Sequence, residues 1–143
     1  MPAHPPHDDV AALPEDVLAR AERWAAEDPD PAHRDTLRAE LDAAAGVGPE
    51  AAAARAALAA RFAGPLAFGT AGLRAEEGPG ESRMNRLVVR RTAVGLAAHL
   101  WDGVGQDAAP PLAVVGYDAR RGSAAFAADT AAVLTAAGVQ TVL

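Results

Sequence analysis

LAVVGYDARRGSAAFAADTAAVLTAAGVQTVL, residues 112–143, reads as a strand, a helix and a second strand. The run 112–117 is short, apolar and valine-rich, the composition of a buried strand. Residues 123–136 then read as a helix with Ser123 as its cap and Gly138 at its stop, and 139–143 return to strand. Two strands joined by one helix run parallel through a right-handed crossover, so the fold class is α/β. The segment YDAR, residues 117–120, leaves the carboxyl end of the first strand, the edge at which open α/β sheets bind ligands.

Working toward the amino terminus, residues 86–101 predict another helix, and 66–74 a mixture of strand and loop. Before residue 64 the pattern is helical. Pro14 at a first turn followed by Glu15 and Asp16 predicts a helix over 14–27, with Leu13, Val17, Leu18 and Trp24 as its apolar anchors. Asp30 caps a second helix that starts at Pro31 and runs to about Ala45, and a third spans Pro49 to about Phe62. Residues 1–13 carry prolines, His4 and His7 but no apolar period, and are expected to form a flexible tail without a metal site. The expected organisation is a tail (1–13), a helical lead-in (14–63) and an α/β domain (64–143).

Composition narrows the function. The chain has no cysteine and a formal net charge of −6, which argues against a general nucleic-acid surface. It contains no apolar run suited to a membrane span or a signal-peptide core, so no membrane partner and a cytoplasmic location are expected. All 13 basic residues are arginine, so an arginine gains functional weight only from its place in a motif.

The motif that does so is FGTAGLR, residues 68–74. Gly69 and Gly72 let backbone approach a ligand, Thr70 offers a hydroxyl and an amide, and Arg74 a planar fork that suits phosphate. The same residues also make an ordinary tight turn. Asp118 and Arg120 likewise suit either a ligand edge or a pinned turn. RMNR, residues 83–86, with Arg90, places Arg83, Arg86 and Arg90 along one helical face.

RFAGPLAFGTAGLR (61–74), RMNRLVVRRTAVGLAAHL (83–100) and VVGYDARRGSAAFA (114–127) together resemble the amino-terminal domain of the α-D-phosphohexomutases, the phosphomannomutase and phosphoglucomutase family. RWAAEDPDPAHRDTLRAEL (23–41) is similar to the helical lead-in of bacterial members. The resemblance implies a partial three-layer α/β/α domain I. It implies phosphate binding by Thr70, Arg74 and Arg120, with Gly69, Gly72 and Asp118 in support, and cleft-loop ordering by Arg83 and Asn85. The family's activity is the interconversion of hexose 1-phosphate and hexose 6-phosphate through a phosphoserine and a bisphosphate intermediate, with magnesium and a hexose 1,6-bisphosphate activator.

The chain departs from the family in having Ala75 where a glycine is usual and Arg121 where a histidine is common. No Thr-Ala-Ser-His-Asn-Pro type serine loop and no Asp-Gly-Asp type metal loop occurs in it, so no catalytic nucleophile and no metal ligand are assigned. The resemblance therefore implies the amino-terminal part of a phosphohexomutase, inactive alone and partnered by the remaining domains of its parent. The alternative is a stand-alone phosphosugar-binding or interaction module. A nucleotide-binding Rossmann domain is disfavoured, because no G-x-G-x-x-G follows a strand.

Overall fold

A computed structural model describes residues 13–105 and 108–143; the proline-rich stretch 1–12, with His4 and His7, lies outside the described residues. In chain order the elements are α1 (Glu15–Glu27), α2 (Pro31–Ala44), α3 (Pro49–Arg61), α4 (Arg86–Trp101), β1 (Leu112–Val114), α5 (Ser123–Ala136) and β2 (Gln140–Val142). The helices start where their sequences dictate. The Asp30 carboxylate accepts from the Ala32 N–H at 2.9 Å with Pro31 at the first position, where its missing amide leaves nothing unpaired. Asn85 caps α4 in the same way, its Oδ1 accepting from the Val88 N–H at 2.9 Å. No helix of the described residues is long and apolar enough to cross a membrane.

The first apolar cluster joins α1, α2 and α3 to the start of α4. Val17, Ala21, Trp24, Leu37, Leu58 and Phe62 pack with Leu87 and Val88, and the Trp24 and Phe62 rings meet edge to face at 6.0 Å. Asp28, buried at its edge, is paired. Trp24 Nε1 donates to Asp28 Oδ2 at 3.2 Å, and the Asp30 N–H donates to Asp28 Oδ1 at 2.9 Å, which fixes the α1–α2 corner. Arg91 of α4 lays its guanidinium 4.5 Å from the Trp24 ring centre and pairs with Glu27 at 2.7 Å.

The second cluster is smaller. Ala97, Leu100 and Trp101 of α4 and Leu134 of α5 pack with Ala113, Val115 and Val139, and Trp101 Nε1 donates to the Ala137 carbonyl at 2.9 Å. The strands pair in parallel, in register Leu112↔Gln140, Ala113↔Thr141 and Val114↔Val142. The expected α/β unit is present.

Three expectations need correction. The strands cover 112–114 and 140–142, shorter than the predicted 112–117 and 139–143. The first is also not buried on both faces: Leu112 is 63% and Val114 76% exposed, as is Val142 at 53%. Side chains alternate across a strand, so those facing α4 and α5 are covered while their neighbours face away from both helices. Residues 66–74 form no strand; they contain one isolated bridge, Gly69↔Gly72.

Candidate functional site

Gly69 and Gly72 exchange backbone hydrogen bonds in both directions, at 3.1 and 3.2 Å, which closes a turn with Thr70 and Ala71 at its tip. Gly72 sits at φ +84, a conformation that favours glycine. A Cβ at Gly69 would lie 3.6 Å from the Gly72 oxygen, an ordinary contact, so sterics do not demand a glycine there. Thr70 is exposed. Arg74 follows the turn, and its Nε lies 3.5 Å from the Ala71 carbonyl, at the limit of a hydrogen bond.

The next stretch is held far more firmly. The Met84 N–H donates to Glu76 O at 2.9 Å and the Gly78 N–H to Met84 O at 3.1 Å. Asn85, 1% exposed, donates through Nδ2 to the Gly78 and Gly80 carbonyls at 2.9 and 2.8 Å while capping α4. Ser82 ties this loop to the end of α3: its N–H donates to Arg61 O at 3.0 Å, and its hydroxyl donates to Gly64 O at 2.6 Å. Arg20 of α1 pairs with Glu81. Arg83 lies in this loop, 3.7 Å from Glu76, so it does not share a helical face with Arg86 and Arg90; the helix begins only after the Asn85 cap.

Residues 118–126 form the opposite wall. The Arg120 N–H donates to Asp118 Oδ1 at 3.0 Å and its Nε to Oδ2 at 2.8 Å, so the pair both pins the turn and orients the guanidinium. The Arg120 hydrogen bonds hold the Asp118 carboxyl down at about 2, and Asp118 in turn raises the Arg120 pKa. Ser123 is not the cap of α5. Gly122 takes that position at φ +79, and the Ser123 hydroxyl instead accepts from the Asp118 N–H at 3.2 Å, one turn back along the loop.

Between the walls lies a cleft of about 370 Å³, whose lining includes Arg74, Glu77, Met84, Arg120, Arg121 and Ser123. The structure thus brings Arg74 and Arg120 together across some 45 residues of sequence. Thr70, Gly69, Gly72 and Asp118 stand beside this lining without being part of it. Arg121 and Glu77 escaped the sequence reading. Arg121 was visible only as a departure from a family pattern, and Glu77 sits in a run of acidic and glycine residues with no periodic signal.

A further residue without a sequence signal stands behind the site. Asp129 of α5 is 5% exposed and accepts from Arg86 at 2.7 and 3.0 Å and from Arg90 at 2.9 and 2.7 Å. Burial pushes its pKa up, but the two guanidiniums outweigh burial and leave it lowered; the Asp129 hydrogen bond raises that of Arg86. The clamp fixes α5, and with it the Arg120–Ser123 wall, against α4. Among the described residues no group of three or more His, Cys, Asp or Glu side chains is placed to hold a metal ion.

The family model described as phosphoglucomutase/phosphomannomutase, alpha/beta/alpha domain I, matches residues 65–143. Among similar proteins, a phosphoglucomutase of Staphylococcus haemolyticus is 39% identical over 82 residues, 57% of this chain and 14% of its own length. A phosphoglucomutase of Staphylococcus saprophyticus is 40% identical over 84 residues, 59% of this chain and 14% of its own length. A Schizosaccharomyces pombe protein named "Probable phosphoribomutase" is 45% identical over 76 residues, 53% of this chain and 13% of its own length. The chain thus spans about one seventh of the length of these relatives. No solved structure matches it. The loop of Gly69 to Arg74, the Asn85-capped helix and the Asp118–Arg120 turn all fall within the matched region, and the chain belongs to the phosphoglucomutase/phosphomannomutase family through its α/β/α domain I.

Proposed function

We propose that the chain is the amino-terminal part of a phosphohexomutase and that its cleft holds the phosphoryl group of a hexose phosphate. The observation that supports this most is the convergence of Arg74, Arg120 and Arg121 on one cleft whose lining holds a single carboxylate, Glu77. With Asp118 paired to Arg120, three guanidiniums stand against two carboxylates, a net positive site that suits a phosphate monoester, and phosphoryl transfer depends chiefly on positioning and charge stabilisation. In this reading Arg120, held by Asp118, presents a fixed fork, Arg74 closes from the opposite wall, and Thr70 at the turn tip offers its hydroxyl and amide.

The complete enzyme would interconvert hexose 1-phosphate and hexose 6-phosphate in the cytoplasm, its phosphoserine and the remaining domains lying outside this chain, with hexose 1,6-bisphosphate as activator. Magnesium would neutralise charge on the transferring group when bound. The chain alone is expected to bind and not to turn over. Residues 1–143, given glucose 1-phosphate and glucose 1,6-bisphosphate, should form no glucose 6-phosphate in a coupled assay. Titration calorimetry with glucose 1-phosphate should show binding that Arg74→Ala and Arg120→Ala each weaken about tenfold, the scale of one charge-assisted contact. Unchanged affinity in both variants would overturn the assignment of the cleft, and measurable turnover would overturn the inactivity.

A further inference from the structure

We propose that Glu77 sets the selectivity of the cleft, disfavouring bare dianions and admitting phosphate monoesters whose hydroxyl groups satisfy its carboxylate. This rests on the reading that the cleft binds phosphate. Glu77 is the one acidic side chain in the described lining, on the loop wall that faces Arg120, Arg121 and Ser123. Its Oε1 lies 4.0 Å from where a Cβ on Gly122 would stand, next to the first turn of α5.

The carboxylate is not spent on a neighbour. Among the described residues it lies within ion-pair distance of no arginine, while the Arg120 guanidinium is already closed on Asp118 at 2.7 Å. Nor is it free to drift away with its loop. The hydrogen bonds of Met84 to Glu76 and of Gly78 to Met84 pin the backbone on both sides, and Asn85 holds the Gly78 carbonyl from within the fold. A phosphate among the three arginines therefore meets a negative charge carried on a pinned backbone.

That charge has two effects of opposite sign. It repels any dianion at short range, and because Glu77 and the three arginines are exposed, added salt screens that repulsion. An ionised carboxylate is also a pure acceptor with room for several donors, so hydroxyls on the ester's carbon skeleton can repay the repulsion by donating to it. Sulfate and a simple alkyl phosphate dianion, which have no hydroxyl to donate, incur only the first effect. A polyhydroxylated monoester gains from the second.

The test is calorimetry on residues 1–143 and Glu77→Gln with sulfate, methyl phosphate and glucose 1-phosphate, above neutral pH and at one ionic strength, with Arg120→Ala as control. Glu77→Gln is isosteric at an exposed position and does not threaten the fold. It should tighten sulfate and methyl phosphate while leaving glucose 1-phosphate no tighter, so that the preference for the sugar ester falls about tenfold, the scale of one or two lost hydrogen bonds. A common shift of all three ligands, or no shift, overturns the role of Glu77. If the unaltered chain binds none of the three, the phosphate cleft itself is wrong and this inference falls with it. If it binds them, Arg120→Ala weakens all three and the Glu77→Gln ratio stays fixed, the cleft stands and only the role of Glu77 is lost.

Discussion

Replacing Asp129 by alanine removes the acceptor of four hydrogen bonds from two guanidiniums and leaves Arg86 and Arg90, one turn apart on α4, without it. Breaking a fully buried ion pair costs about 3–5 kcal/mol because the orphaned charge stays desolvated. Here the carboxylate is buried but the arginine side chains are 34% and 40% exposed, so water takes up part of the loss. Repulsion of like charges four residues apart returns a few tenths. The expected destabilisation is about 2–3 kcal/mol, and a midpoint lower by about 8 °C in a chain of this size. Urea and thermal unfolding followed by far-UV circular dichroism would measure it.

The acid dependence of this effect has a definite sign. The Asp129 pKa is lowered in the folded state, so its contribution is complete above its unfolded value near ~4 and is lost as pH falls through the folded one. The gap between the unaltered chain and Asp129→Ala should therefore be widest at neutral pH and close on acidification below that range. A gap under about 0.5 kcal/mol at neutral pH, the size of an ordinary surface change, would refute the clamp. So would a gap that does not narrow in acid.

Phe62→Ala opens a cavity beneath Trp24 at a residue 1% exposed, and should cost about 3–5 kcal/mol in urea titrations. Gly80→Ala should destabilise by about 2 kcal/mol or more: φ is +107, and the new Cβ would stand 2.7 Å from both the Cβ and the carbonyl oxygen of Arg61, with backbone on one side unable to yield. Its effect on glucose 1-phosphate affinity, measured where both chains remain folded, reports whether the end of α3 braces the loop that carries Glu77.

The helices were legible because their signals are local. Asp30 with Pro31, and Pro14 with Glu15 and Asp16, each act within one turn, and the observed bounds of α1 to α4 fall within a residue or so of those expected. The parallel strand pair followed from its crossover helix. What could not be read depended on partners distant in sequence. Exposure of Leu112 and Val114 is decided by which face of the sheet α4 and α5 cover, and an apolar run carries no record of that. Ser123 suits a helix cap in every local respect, yet Gly122 reaches a left-handed conformation that serine would resist, and the hydroxyl went to Asp118 instead. In the cleft, Arg74 and Arg120 could be named from their motifs, whereas Glu77 and Asp129 acquire meaning only once residues 77, 86, 90, 120 and 129 are placed in space.

The chain's two tryptophans are divided one to each apolar cluster. Trp24 lies edge-on to Phe62 beneath the Arg91 guanidinium, and Trp101 bridges α4 to the end of α5 through the Ala137 carbonyl. The molecule therefore carries a separate optical channel for each core. With one indole replaced by phenylalanine, emission from the other follows the helical lead-in or the strand pair alone. Coincident melting of the two signals would make the whole chain one cooperative unit, and staggered melting would divide it along α4, the helix that belongs to both cores.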